Sequence, residues 1–331
     1  MKLTDNIYFY EGDSRLQYVS ARELYKGVGS SNFLVLKDGN TQVMIDSGFH
    51  VGPHLKRMQR EMDEDEIDIN NTSTVIFSHA HPDHIQQAKS LAKQKKLRFI
   101  MHKGNELFIR SNDFYFEAYY NYPKHIRNEI MLLPKPLTKM TFRLLGFDFG
   151  YLTADEFWDN NQTLNLCNGI EVIELPGHCS GHVGFYFIQQ KILYAADLIY
   201  EANGRYNILP CINNALSSLQ CGINDICSAS KLDIDIYIPG HGKIIYGKEN
   251  INNFLNQSVE NMHNLMAEIV LYLKNKKHST LSDITNSFFD KRYLCNYVHV
   301  ISIIYNTLQY LIKQKRVSFT VKNNRARWYA L

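Results

Sequence analysis

Residues 74–84 read Thr74-Val75-Ile76-Phe77-Ser78-His79-Ala80-His81-Pro82-Asp83-His84. A short apolar run, the length of a buried strand, ends in three histidines and an aspartate packed into six residues. Packing alone does not account for such a cluster. The imidazoles repel one another if protonated and gain little from burial if neutral. A metal ion resolves the conflict, because imidazole nitrogen and carboxylate oxygen are both good zinc ligands. Side chains two apart on an extended segment point the same way, so His79 and His81 are placed to share one ion. Asp83 and His84 are expected in the turn beyond, in reach of a second.

Three later positions repeat the arrangement of a polar group at a strand end. Pro176-Gly177-His178-Cys179-Ser180-Gly181-His182 follows the strand Val172–Leu175, Ala195-Ala196-Asp197 ends the strand from Ile192, and Pro239-Gly240-His241-Gly242 ends Ile234–Ile238. Two of the three are flanked by glycines, which let backbone come close to a cluster. The rest of the first 250 residues has a layered α/β rhythm. Ile7–Tyr10, Asn32–Leu36 and Val43–Asp46 read as strands, with Asp38-Gly39 as a hairpin turn. Pro53 to Met62 and Ile85 to Lys96 read as helices, Leu97–Met101 as a strand, and Ile251 to Leu273 as a long amphipathic helix. Residues 103–165 read as irregular and aromatic-rich, with Phe114, Tyr115, Phe116, Tyr119, Tyr120, Tyr122 and Trp158 among them.

Composition narrows the class. The chain has 331 residues, 45% hydrophobic and 21% charged, which excludes a disordered chain. No apolar run approaches the roughly 18 residues that span a bilayer, so no membrane association is expected. Six cysteines without a C-x-x-C pair, and no apolar signal core after Met1, predict a reducing, cytoplasmic setting. The net charge of +3 conceals an asymmetry: residues 276–331 carry +8 and the preceding body −5. Thr280 with Asp283 marks a helix start, Ile301, Ile304, Leu308 and Leu311 mark a second helix, and Val317–Val321 with Ala326–Tyr329 marks a hairpin. Two helices and a basic hairpin describe a small winged-helix-like module.

With these motifs in hand, the sequence resembles the metallo-β-lactamase superfamily of hydrolases. His79, His81, Asp83 and His84 match its H-x-H-x-D-H motif, His178 its Gly-His ligand, Asp197 its bridging carboxylate and His241 its last histidine. Met44-Ile45-Asp46-Ser47-Gly48 matches the opening of the same fold. The resemblance implies a four-layer αββα sandwich over residues 1–250, with residues 103–165 as an inserted lid and residues 251–331 as a helical, winged-helix-like extension. It implies two divalent metal ions, zinc ahead of iron or manganese. One would be held by His79, His81 and His178, the other by Asp83, His84 and His241, with Asp197 bridging. His81 stands where the diiron reductases of the family carry Glu. Mononuclear iron dioxygenases of the family keep similar residues. Asp197 argues against antibiotic hydrolysis, since the drug-hydrolysing members lack that bridge.

The implied chemistry is attack by a metal-activated hydroxide on a small-molecule ester, thioester or lactone, with Asp83 orienting the water and moving its proton. Tyr200, three residues after Asp197, matches a tyrosine that contacts the substrate carbonyl in lactonases of this fold. His182 reads as a support for the ligands. Cys179 stands where Thr is common in the family and reads as a small buried side chain. The basic tail either binds nucleic acid, making the protein a phosphodiesterase or ribonuclease, or packs on the core or a second copy in a homodimer. The small-molecule substrate is preferred. A non-catalytic regulator that keeps the metal site is the third alternative.

Overall fold

The computed structural model describes residues 1–12, 30–48, 52–93, 95–111, 122–130, 134–144, 152–159, 162–202, 206–208, 218–289 and 294–331. Two six-stranded sheets face each other. The first runs β1 (Ile7–Tyr10), β2 (Phe33–Asp38), β3 (Thr41–Ile45), β4 (Thr72–Phe77), β5 (Arg98–His102) and β6 (Glu156–Trp158) in spatial order. The second comprises β7 (Thr163–Leu164), β8 (Ile170–Glu174), β9 (Val183–Phe187), β10 (Ile192–Ala196), β13 (Ile236–Pro239) and β14 (Ile245–Tyr246), in the order β14-β13-β10-β9-β8-β7. The short hairpin β11 (Tyr200–Ala202) and β12 (Tyr206–Ile208) follows β10.

β1, β9, β10 and the first four residues of β2 are buried at every position, on both faces, and carry almost no polar side chain. Ile7, Phe9, Leu34, Leu36, Ile45 and Ile76 meet Val172, Phe185, Phe187, Ile192, Tyr194 and Ile238 between the sheets. The alternate residues Tyr8, Tyr10, Phe33, Val35, Val75 and Phe77 face outward onto Met58, Met62, Ile85 and Ala88 of helices Gly52–Glu64 and Pro82–Leu91. On the far side, Leu193, Ala195 and Tyr237 pack on Ile223 and Ile226 of helix Leu219–Ala229 and on Leu255 and Met262 of helix Lys248–Lys276. This period-two partition of each strand produces helix, sheet, sheet and helix layers. The Asp38-Gly39 turn closes β2 onto β3, with Asp38 opposite Thr41 and Gly39 at φ +60°.

Two expectations need correction. The helix expected from Ile85 begins at Pro82, directly after His81. Proline at the first helical position has its φ already set and no N–H to waste, so the helix starts three residues early. Asp83 and His84 therefore lie in a helical first turn rather than a loose turn. The stretch 103–165 also has more order than its sequence suggested. It contains helices Glu106–Arg110, Lys124–Ile130 and Lys135–Leu144, and β6, which pairs parallel to β5. A three-residue strand is too short to show any period. Phe114, Tyr115, Phe116, Tyr119 and Tyr120, expected to line a lid, lie outside the described residues.

The C-terminal residues form helices Leu281–Phe288 and Leu294–Lys313 and the hairpin β15 (Val317–Lys322) and β16 (Arg325–Ala330). Thr280 and Asp283 make the reciprocal cap that starts the first of these helices. Leu281, Ile284, Ile301, Leu308, Val317 and Trp328 belong to the same apolar cluster as Leu255, Met262 and Leu193. The insertion joins it too. Tyr122, Ile126 and Ile130 are in that cluster, the Tyr122 hydroxyl lies 2.9 Å from Ser302 Oγ, Glu129 accepts the Ser282 N–H at 2.9 Å, and His125 stacks on Phe319. Trp328, fully buried, touches Tyr305 and Phe319 and pairs through its backbone with Ser279. Trp328→Ala is expected to cost about 3–5 kcal/mol of stability. In urea unfolding followed by circular dichroism, a loss under about 1 kcal/mol would mean that the tail does not share the core.

Candidate metal centre

The C-terminal ends of β3, β4, β10 and β13, together with the turn after β8, converge at one edge of the two sheets. His79 follows β4 and lies fully buried, and His81 caps the helix at Pro82. His79 Nε2 is 2.8 Å from His81 Nδ1, and His178 Nε2 is 3.0 Å from the same atom. Asp197 Oδ2 completes this group at 3.8 Å from His79 Nε2 and 3.5 Å from His178 Nε2. The other oxygen of Asp197 faces a second group, with Oδ1 3.3 Å from His84 Nε2 and 3.5 Å from His241 Nε2. Asp83 Oδ2 closes that group, 3.1 Å from His241 Nε2 and 3.8 Å from His84 Nε2. All seven expected residues thus come together, with the Asp197 carboxylate between two clusters. Tyr200 begins β11, and its side chain lies outside the described residues.

Charge organises the cluster. Burial, with the neighbouring imidazole of His84 next, holds the His79 ring well below the usual histidine range, so it is neutral. Burial also opposes charge on His84, but Asp197, Asp46 and Asp83 outweigh it and hold its ring well above that range. Asp197 shows the mirror case: burial is outweighed by His241, His84 and His178, which keep it ionised well below the usual carboxylate range. His84 Nε2 and Asp197 Oδ1 are nevertheless buried without a hydrogen-bond partner. Buried polar atoms of this kind are costly unless something else satisfies them. They border a space ringed by imidazole nitrogens and carboxylate oxygens, a donor set that suits divalent transition metals. The residues fit such ions, His79, His81, His178 and Asp197 on one side and Asp83, His84, His241 and Asp197 on the other.

A shell of hydrogen bonds behind these residues fixes their orientation, and sequence reasoning missed most of it. Asp46 is fully buried at φ +58° and accepts four hydrogen bonds. They come from the Ser78 N–H at 2.7 Å, Ser78 Oγ at 2.7 Å, His84 Nδ1 at 2.7 Å and the Tyr194 hydroxyl at 2.7 Å. Binding His84 Nδ1–H leaves Nε2 to face the cluster. His182 donates from Nδ1 to the Leu175 carbonyl at 2.7 Å and accepts the Asp197 N–H at Nε2, 3.2 Å away. Both of its nitrogens thus serve backbone groups, and burial lowers its pKa to about 4.

Two buried asparagines tie the loops together. Asn32 donates through its amide to the Pro239 and Gly242 carbonyls, at 2.8 and 2.9 Å, and its backbone N–H bonds to the Gly240 carbonyl. Asn105 accepts the Ala80 N–H at 3.0 Å and donates to the Gly181 carbonyl at 2.8 Å, joining the His79 loop to the His178 loop. Asp225 accepts the Gly177 N–H at 2.7 Å, and burial pushes its carboxyl up to about 7. A polar residue flush against an apolar strand, Asn32 before Phe33, is the one sequence signal that could have exposed any of these.

Glycines make the closest approaches. A Cβ on Gly177 would meet Gly222 Cα at 2.2 Å, and one on Gly240 would meet Asp197 Oδ1 at 2.1 Å. At each point a neighbour lies where a side chain would stand.

The sequence profile of the metallo-beta-lactamase superfamily matches residues 27–241. Hydroxyacylglutathione hydrolase GloC of Haemophilus influenzae is 24% identical over 169 residues, 51% of this chain and 66% of that protein. A hydroxyacylglutathione hydrolase of Rhizobium johnstonii is 36% identical over 55 residues, 17% of this chain and 19% of that protein. The match thus spans just under two thirds of the first relative and about a fifth of the second. The probable metallo-hydrolase YybB of Bacillus subtilis is 21% identical over 221 residues, 66% of this chain and 84% of that protein. Among solved structures, a metallo-beta-lactamase family protein of Thermus thermophilus superposes with a TM-score of 0.75 at 13% identity, covering 100% of both chains. A beta-lactamase domain protein of Burkholderia ambifaria gives 0.71 at 13% identity, covering 99% of this chain and 94% of that one. At such identities the likeness is one of fold.

The approach of Gly240 to Asp197 yields a direct test. Gly240→Ala must push the carboxylate aside or shift the loop. Bound metal per chain, measured by plasma mass spectrometry after zinc loading, is expected to fall while the far-ultraviolet spectrum stays native. Wild-type metal content in that variant would show that the close approach of Gly240 to Asp197 is not needed to hold metal.

Proposed function

The chain belongs to the metallo-beta-lactamase superfamily, and on that basis we propose that it is a dinuclear metal-dependent hydrolase of a small-molecule ester, thioester or lactone. The observation that carries this reading is the position of Asp197, whose two oxygens face two separate ligand clusters. When bound, two divalent ions supply Lewis acidity and bring the pKa of a water toward neutrality. His79, His81 and His178 would hold one, Asp83, His84 and His241 the other, and Asp197 both. Zinc suits these donors, as do iron and manganese.

The chain's own residues do the rest. The Asp83 carboxylate is anchored by His241, and its backbone is held where the Asp83 carbonyl accepts Ser31 Oγ–H at 2.9 Å. It orients the attacking water and takes its proton at a carboxylate oxygen. Asp46, through His84 Nδ1, keeps the His84 ring aimed at the cluster. Tyr200, at the start of β11, is assigned to the substrate carbonyl. Within the three bond classes, thioesters come first, because two relatives of this chain are named hydroxyacylglutathione hydrolases and the acyl group of such a compound is held through sulfur.

The C-terminal module supports a small-molecule substrate. Among its described residues, Leu281, Ile284, Ile301, Leu308, Val317 and Trp328 share one core with the rest of the protein and with the insertion helix Lys124–Ile130. Its cations Lys322 and Arg325 are exposed at the hairpin tip, beyond the buried Val317 and Trp328 that make those contacts. We assign it to packing, with nucleic-acid binding as the alternative.

Asp197→Ala is expected to lower bound metal from two ions to one or none and to reduce kcat/KM on the best thioester by at least about a hundredfold. The measurement pairs metal analysis with a panel of thioesters, esters, lactones and phosphodiesters. Turnover of phosphodiesters alone, or unchanged metal content in the variant, would overturn the assignment. Combined charge reversal at Lys322, Arg325 and Arg327 is expected to leave that turnover within a few-fold of wild type. Micromolar RNA or DNA binding in physiological salt, with a log–log salt slope that drops by about 0.9 per reversed contact, would favour the nuclease instead.

A further inference from the structure

Cys179 lies beside the first cluster, and its placement goes beyond a passive small side chain. One donor atom from each of His79, His81, His178 and Cys179 can be chosen so that all four lie within 4.8 Å of one another, and all four residues are buried. Ligands of one zinc ion at ordinary bond lengths of about 2.1 Å to nitrogen and 2.3 Å to sulfur stand about 3.5 Å apart in a tetrahedron and up to about 4.4 Å apart across wider angles. The bound on the sulfur's separation from the three imidazole nitrogens thus exceeds the range for donors to one ion by only a few tenths of an ångström.

The backbone keeps it there. Cys179 sits in the tight turn His178–His182, where its carbonyl accepts the His182 N–H at 3.2 Å. That turn is clamped at Gly181, φ +73°, by the Asn105 amide, and at Gly177 by Asp225 and the bare backbone of Gly222.

The charges of the two clusters are unequal without it. The Asp83, His84 and His241 group has a carboxylate of its own besides its share of Asp197. The His79, His81 and His178 group has only its share of Asp197. One thiolate there would give each divalent ion one full anionic ligand and one shared one. The thiol would lose its proton to solvent as the ion binds, which is how cysteine becomes a ligand.

We infer that Cys179 is a soft donor of the three-histidine subsite, and that it makes this subsite select thiophilic ions such as zinc, cadmium and iron(II) over manganese and magnesium. The inference rests on the dinuclear reading above. The test uses the full-length protein, stripped of metal and titrated with cobalt(II). Wild type is expected to develop an intense near-ultraviolet thiolate-to-cobalt absorption band that saturates with one of two bound equivalents. Cys179→Ser and the bulkier Cys179→Thr are expected to bind cobalt without that band, and a Cys221→Ser, Cys227→Ser double variant to keep it. Cadmium affinity of the subsite should fall by about tenfold or more in Cys179→Ser, with manganese affinity little changed. Wild-type protein that holds two cobalt ions without the band, or a Cys179→Ser variant that keeps it, would overturn the inference and leave the dinuclear hydrolase standing. Wild-type protein that takes up no metal would overturn both.

Discussion

The sheet edge is organised around one buried carboxylate that is not among the seven residues of the centre. Asp46 stands at the end of β3, in the left-handed region that a residue with a side chain rarely visits. Its four hydrogen bonds reach the loop after β4 through Ser78, the helix at Pro82 through His84, and the opposite sheet through Tyr194 on β10. The Tyr194 hydroxyl also lies 2.7 Å from the Asn32 carbonyl. A single acceptor thus ties both sheets and one histidine of the centre into one rigid unit. Strained backbone of this kind persists only where its surroundings over-determine it, and here they do so with four donors.

Much of this was legible in the sequence because the decisive signals are local. A strand that ends in His79-Ala80-His81 announces itself within a few residues, and so do the Gly-His turns. The two-sided burial of β2, β4, β9 and β10 shows as unbroken apolar runs. What stayed hidden has a common cause: it depends on partners far away in sequence. Nothing around Asn105 says that it will join the loops at Ala80 and Gly181, and nothing around Asp225 says that it will hold the Gly177 N–H. β6 escaped because so short a strand carries no period. The early start of the helix at Pro82 could have been read from the proline itself. It matters for the centre, because a helical first turn sets Asp83 and His84 side by side where a flexible turn would not.

The C-terminal residues and the insertion are distinct in sequence, one basic and helical, the other aromatic. In the structure they share one apolar layer over the second sheet, joined through Tyr122, Glu129 and His125. In sequence the insertion lies between β5 of the first sheet and β8 of the second. A substitution that loosens the tail therefore acts on the segment that lies between the two halves of the sandwich, although no tail residue is among the seven that face the centre. Charge asymmetry along the chain marked a change in surface, whereas the boundary of the core is set by where apolar side chains meet.

The Asn32 contacts to Pro239 and Gly242 span 207 and 210 residues of chain. During synthesis the ribosome delivers His79, His81 and His84 long before the carbonyls that Asn32 must hold. A growing chain thus carries three free imidazoles with no shaped cage, and any ion it meets finds only a loose and exchangeable ligand set. The complete cage exists only after the second sheet has docked on the first, a closure of high contact order and hence one of the slower events in folding. Completion of the cage is thereby tied to completion of the fold, since the carbonyls that Asn32 holds arrive only with residues 239 and 242.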